Sequence, residues 1–431
     1  MLLLFLIALI LCIGITIYYL LGLRQRYKYF DQRGISTPPY EFFYGHLKTL
    51  WNSASYHRQL ESWTKEYGKI YGIYEGAVPT LVVSDPNFLQ EVFIKQFSFF
   101  PGRKPTFGDF RSQSLFSAVG EKWHRFRHVI NPAFSSAKLK MMCPLINECV
   151  RDTMEKLADH ARDGTEFNIF LYYKRMTMDV ICRCAFGLDT DLQNNPNNIY
   201  FKKLEEIFGR NVRSSGFFKL AKLMPQLANI IAKVLFSIIN TKTFINKHVM
   251  PWISKKQLNE FPVVWLLNRL REVVDERQKT ATSRVDVLQL MLEALNEEKT
   301  NDEMQDSSKT NYWLTREEVV NNAFIFMLAG YQSTSTALAY ATYELARHSK
   351  VLQKLQAEID QLPFNDDDNF DEEMKKYSNY DVVARMPYMD MFISEVLRMY
   401  PISNSAIQRC ASKDTVVQGI KIDKGNHQRI H

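Results

Sequence analysis

The chain has 431 residues, of which 46% are hydrophobic and 13% aromatic, ample for a deep core. Its formal charge of +7 suits anionic lipid headgroups or an acidic protein partner, and the absence of a basic stripe with interleaved aromatics argues against nucleic acid. The six cysteines, Cys12, Cys143, Cys149, Cys182, Cys184 and Cys410, form no disulfide framework and suit a reducing compartment.

Residues 1–23 carry no charge and exceed the ~18 apolar residues that mark a spanning helix. No basic leader or small-residue cleavage site accompanies them, so they read as a signal anchor rather than a cleaved peptide. Arg24, Arg26, Lys28 and Arg33 follow, against Asp31, which keeps that flank and the body in the cytosol and the N-terminus in the lumen. Residues 24–45 form a basic hinge stiffened by Pro38 and Pro39. Residues 70–83 alternate about Gly76 as a hairpin, and Asp85 with Pro86 starts a helix. Apolar spacing then predicts helices over 86–96, 121–160, 170–187, 199–212, 226–255, 262–278, 284–297, 315–348, 350–361 and 386–399. Thr315 and Glu318 make a capping box for the long helix among these. A second strand pair over 415–423 turns at Gln418-Gly419. Residues 297–311 and 364–379 read as polar surface loops; the run Asp366-Asp367-Asp368 fails the calcium-loop pattern. The chain is therefore mainly α with a small sheet.

Three local patterns carry chemistry. Ala329-Gly330-Tyr331-Gln332-Ser333-Thr334 lies at the centre of the long helix, where a Gly costs about 1 kcal/mol against Ala. Such a segment lets something flat lie against the backbone, or packs closely on another helix. Glu395 and Arg398 share a helix face in an apolar run, which predicts a buried pair. Trp123 and Arg127 also share a face, as a cation–π or core pair. Cys182 and Cys184, two apart on a helix, diverge and do not suit a metal.

In this order and at these separations, Trp123 to Arg127, Ala329 to Thr334, Glu395 to Arg398 and Arg409 resemble the cytochrome P-450 superfamily of haem-thiolate monooxygenases. The animal microsomal branch that includes drug oxidases and thromboxane synthase is most similar. The resemblance implies the cytochrome P-450 fold, a helical bundle around haem with a small peripheral β-sheet, over a catalytic domain at 46–424 behind the anchor. It also implies haem b, NADPH electrons delivered through a diflavin reductase, a lipophilic substrate and attachment to the endoplasmic reticulum. By the same resemblance, Trp123, Arg127 and Arg409 hold the haem propionates, and Ala329 and Gly330 give the porphyrin access to the helix. The family's acid–alcohol proton relay falls on Gln332 and Ser333, beside Thr334. Gln332 holds a water but does not titrate, so altered coupling is expected; the other reading of Ser333 is a hydroxyl bonded back to the carbonyl four residues earlier. The Glu395–Arg398 pair would join a third basic group in assembling the core.

Phe107, Phe110, Leu115 and Phe116 are candidates for a substrate lid, with Phe324, Ile402 and Ile407 on the opposite wall; core packing is the alternative for each. Residues 217–239 read as dipping into the bilayer or as a buried helix. The family's haem-ligating loop, Phe-x-x-Gly-x-Arg-x-Cys-x-Gly, does not occur in residues 1–431, and Cys410 is no substitute. Residues 425–431 read as an unrelated tail. Two readings therefore stand, a truncated monooxygenase and a catalytically inactive, membrane-anchored helical remnant without thiolate-bound haem.

Overall fold

The computed structural model describes residues 2–103, 114–195, 197–209, 215–244, 261–279, 286–295, 313–362, 380–402, 407–425 and 427–430. The chain enters through α1 (Leu2–Arg26), whose outer residues are exposed and apolar, and the stretch Phe5–Arg33 has the length and composition of a membrane-crossing helix. Leu23, Tyr27 and Phe30 are buried with Tyr74, Phe88, Phe100, Val417 and Ile422. The Tyr74 hydroxyl donates to Tyr27 O at 2.8 Å, and the Tyr27 hydroxyl donates to Gly76 O at 3.3 Å. Residue 72 must be glycine, because a Cβ there would lie 2.5 Å from the Phe30 ring. Within the segment 24–45, Tyr27 and Phe30 join the core as aromatic side chains. His46 completes the joint, with Nδ1 accepting from Tyr74 N–H at 2.8 Å and Nε2 donating to Pro38 O at 2.9 Å.

Two short helices, α2 (Leu47–Asn52) and α3 (Tyr56–Tyr67), precede the expected hairpin of β1 (Ile70–Glu75) and β2 (Val78–Val83). Asp85 caps α4 (Pro86–Gln90), accepting from Phe88 N–H at 2.8 Å. The predicted helix over 121–160 divides into α5 (Gly120–Ile130) and α6 (Ser136–Asp163), because Pro132 opens a 3-10 turn over Asn131–Phe134. Then come α7 (Ile169–Phe186), α8 (Ile199–Gly209), α9 (Gly216–Leu223) and α10 (Ala228–Phe244). Pro225 sets a 3-10 turn between α9 and α10, so the helix predicted over 226–255 begins within that turn, and its end lies outside the described residues.

The helical core is completed by α11 (Pro262–Lys279), α12 (Val287–Glu293), α13 (Arg316–Arg347), α14 (Ser349–Ile359) and α15 (Pro387–Met399). The capping box of Thr315 and Glu318 is present, and α13 runs through the bundle against α7 and α11. The loops predicted over 297–311 and 364–379, with Asp366 to Asp368, lie outside the described residues. Strands β3 (Gln408–Cys410), β4 (Thr415–Val417), β5 (Ile420–Ile422) and β6 (His427–Ile430) follow. The larger sheet has the order β1-β2-β6-β3, with β6 parallel to β2 and antiparallel to β3. The segment read as an unrelated tail therefore supplies an inner strand of that sheet, because its backbone satisfies β2 and β3 at once. The architecture is mainly α with a small peripheral sheet, as the sequence predicts.

Candidate active site

The centre of α13 is wired on one side and open on the other. Tyr331 is fully buried, and its hydroxyl donates to the Glu205 carboxylate of α8, which also accepts from Lys174 Nζ of α7 at 2.8 Å. Burial first, then the hydrogen bond to Glu205, pushes the Tyr331 phenol well above its usual range. Thr177 Oγ1 donates to Tyr331 O at 3.0 Å, fixing α7 against α13. At Gly330 the two helices pack closely, since a Cβ there would meet Ile181 Cδ1 at 3.0 Å. Of the two uses read for Gly330, close packing on another helix is present against Ile181 of α7. Ala329 and Thr334 lie exposed on the open side.

The hydroxyl cluster turns back onto its own helix. Ser333 Oγ donates to Ala329 O at 2.5 Å, Ser335 Oγ to Tyr331 O at 2.8 Å, and Thr336 Oγ1 to Gln332 O at 2.7 Å. Gln332 Oε1 is buried with no partner among the described residues, an acceptor left to a water or ligand.

A basic pocket forms around β3. Cys410 N–H donates to Gly102 O at 2.9 Å, which sets Arg103 beside Arg409. Arg409 lies over the Phe93 ring at 4.4 Å, donates from Nη1 to Gln408 O at 3.0 Å, and has a buried Nε with no hydrogen-bond partner among the described residues. Burial, and then the nearby Arg103 charge, push Arg409 down to about 10. Arg103 is itself lowered by burial and lies 4.9 Å from the Phe116 ring centroid. Trp123 is half-buried, 5.7 Å from Phe97, and Arg127 is exposed on the same face of α5. The Arg103 guanidinium also donates from Nη1 to Phe116 O at 3.5 Å, and two neighbouring guanidiniums suit a dianion or two carboxylates. Arg103 escaped the sequence reading because only the register of Gly102 with β3 brings it there.

The sequence profile of the family described as cytochrome P450 matches residues 36–428. The chain belongs to the cytochrome P450 family. It is 32% identical over 382 residues to the putative cytochrome P450 CYP13A5 of Caenorhabditis elegans, covering 86% of this chain and 70% of that protein. It is 30% identical over 430 residues to cytochrome P450 3A5 of Homo sapiens, covering 97% of this chain and 76% of that one. Membership makes this a haem monooxygenase by family, and the paired guanidiniums with the orphaned Nε of Arg409 fit the two carboxylates that haem carries.

Other expected residues fall elsewhere. Glu395 and Arg398 do pair, at 2.6 and 2.7 Å, but on the surface of α15, with side chains 55% and 69% exposed. Among the described residues their apolar neighbours Met391, Ile393 and Leu397 are exposed as well. The N-terminus of α15 is held instead by Glu358 of α14, which accepts from Tyr388 and Met389 N–H at 2.8 and 2.9 Å. A cleft of about 350 Å³ opens there, lined by Glu344, Val351, Phe392, Val396 and Met399. Of the substrate candidates, Phe107 and Phe110 lie outside the described residues. Leu115 and Phe324 pack against the helical core, Phe116 and Ile407 are exposed, and Ile402 is half-buried. Residues the sequence reading missed include Arg125, whose guanidinium grips Glu318 at 2.7 and 3.0 Å, and the fully buried Asn322.

Proposed function

We propose that this P450 is a membrane-held monooxygenase that inserts one atom of dioxygen into a lipophilic substrate, with NADPH electrons arriving through a diflavin reductase at the cytosolic face of the endoplasmic reticulum. The apolar span Phe5–Arg33 and the basic residues Arg24, Arg26 and Lys28 support the placement. The observation that supports the reading is the pair of neighbouring guanidiniums, Arg103 and Arg409, that the register of Gly102 with Cys410 brings together. Arg103, Arg409, Arg127 and Trp123 would hold the haem propionates, and the bound haem would supply dioxygen activation and electron transfer. Ala329 would face it on the open side of α13, with the exposed Thr334 at the edge of that side. Ser333 stores its proton against Ala329 O and passes it on only by rotating its hydroxyl away. Gln332 Oε1 holds a water in place without itself titrating. Cys149 and Cys182 are poor thiolate donors, because burial pushes both thiols up to about 12 within the helical core.

Haem titration of the detergent-solubilised chain, followed at the Soret band, tests this. Arg103→Ala with Arg409→Ala should weaken haem retention by about tenfold or more, since each lost charge-assisted pair is worth ~1.5–3 kcal/mol. Unchanged retention in the double variant would overturn the assignment. In a chain completed with the family's haem-ligating loop, replacing Gln332 by Glu should raise product formed per NADPH, and equal coupling would leave Gln332 a structural residue.

A further inference from the structure

Asn322 is an uncharged amide with no exposure, placed on α13 two turns before Ala329. Both ends of its side chain are used. Oδ1 accepts from Leu115 N–H at 2.7 Å, and Nδ2 donates to Glu318 O at 2.8 Å. The partners fix the orientation of the amide, since a flipped side chain would set donor against donor and acceptor against acceptor. Leu115 opens a tight turn in which Ser117 and Ala118 N–H donate to Ser114 O at 3.1 and 2.9 Å. Ser114 and Ala118 are buried, whereas Phe116 at the tip is 48% exposed and meets Arg103. The turn is therefore held at its base by α13 and at its tip by the basic pocket.

Helical spacing gives this contact its meaning. Positions 322, 326, 329 and 333 recur at the four- and three-residue spacing of one helix face, the face that carries Ala329 and Ser333. Seven residues at 1.5 Å each place Leu115 about 10 Å along the helix from Ala329, the length of a medium-sized ligand. We propose that Asn322 is a specificity-determining positioning residue: it latches the 114–118 turn onto α13 and fixes Leu115 and Phe116 as the end wall of the open face. The wall role rests on the reading of that face as the oxidation site; the latch itself does not.

The two hydrogen bonds of Asn322 separate by substitution. Asn322→Ser keeps a bond to Glu318 O, by the pattern Ser333, Ser335 and Thr336 already use on this helix, but is too short to reach Leu115. Asn322→Asp keeps the acceptor for Leu115 and loses the donor. Hydrogen exchange on the full chain in detergent should show the Leu115 amide exchanging about tenfold faster in the Ser variant, while α5 and α13 stay protected and the melting temperature holds. The Asp variant should retain Leu115 protection. Leu115 still protected in the Ser variant would overturn the latch, as would loosening spread over α5 and α13, which marks a structural role only. The Ser variant decides the matter if the Asp variant does not fold. On haem-loaded protein, the ratio of affinities for 1-dodecylimidazole and 1-butylimidazole, read from the Soret shift, should rise severalfold in Asn322→Ser. An unchanged ratio with the turn loosened would keep the latch and overturn the wall. No Soret shift with either probe would overturn the oxidation-site reading and the wall with it, leaving the exchange result to stand alone.

Discussion

Two Glu–Arg pairs in this protein have nearly the same geometry and opposite surroundings. Arg125 grips Glu318 at 2.7 and 3.0 Å, and Arg398 grips Glu395 at 2.6 and 2.7 Å. The first pair is 15% and 3% exposed, joined by Lys122 at 3.3 Å and by Thr315 N–H at 3.0 Å. The second stands in solvent. Bidentate geometry fixes direction, but water decides energy: a screened pair is nearly free to dissolve, whereas a buried one cannot lose a member without stranding the other.

The largest effect should come from breaking the buried pair. Glu318→Ala removes the carboxylate that neutralises Arg125 and Lys122 and also closes the capping box, so unfolding in detergent should show a loss of about 3–5 kcal/mol. Burial pushes the Glu318 carboxyl up, but the Arg125 hydrogen bonds, the Thr315 N–H and the two positive charges outweigh it and hold it below the usual range. A depressed carboxylate contributes stability above its unfolded value near ~4.3 and loses it as pH falls through the folded value. The acid limb below that point should therefore vanish in Glu318→Gln.

His46 supplies a second acid step that separates from the first. Burial outweighs the Pro38 carbonyl and lowers the imidazole to about 4, and Nδ1 must stay unprotonated to accept from Tyr74 N–H, so the folded ring is neutral. The unfolded chain takes up the proton first, and stability present above about pH 6.5 is lost as pH falls towards 4, by on the order of 3 kcal/mol. Denaturant titrations across pH should show this step in the parent chain and lose it in His46→Gln. If one step accounts for the whole acid limb, the joint between the anchor and the sheet is not held as described.

The packing half of α13 is tested at Gly330. Gly330→Val places a branched side chain where Ile181 Cδ1 leaves no room, at a cost of about 1–3 kcal/mol. Ile181→Val removes that atom, and the double variant should recover much of the loss. Strict additivity would mean that Gly330 serves the open face rather than the α7 contact.

Local grammar was legible in the sequence, and long-range satisfaction was not. The Thr315–Glu318 capping box, the Asp85 cap, the hairpin about Gly76 and the Gln418-Gly419 turn each depend on neighbours within a few residues, and each is present. The family followed from ordered motifs and is confirmed by the match over residues 36–428. What the spacing concealed were contacts between distant segments: Arg125 with Glu318, Asn322 with Leu115, Arg103 with Arg409, and His46 with Pro38 and Tyr74. The same limit applies to Glu395 and Arg398. Three-residue spacing reports that two side chains meet, whereas burial depends on what covers the helix, and apolar neighbours such as Met391 and Leu397 are no evidence of cover when they are exposed themselves.

The smallest effect should be at that exposed pair. Glu395→Gln removes the charge that Arg398 meets, yet both groups keep full access to water and to counterions. Burial is too slight to strand the arginine, and the hydrogen bond to a neutral amide remains available. Thermal unfolding of the 431-residue chain should show no resolvable shift for Glu395→Gln or Arg398→Gln, and their double-mutant cycle should give no coupling at physiological salt. The same cycle on Glu318 and Arg125 should give a clear coupling that salt barely alters. A large coupling at Glu395 and Arg398 would mean that α15 is covered in solution, and the contrast between the two pairs would disappear.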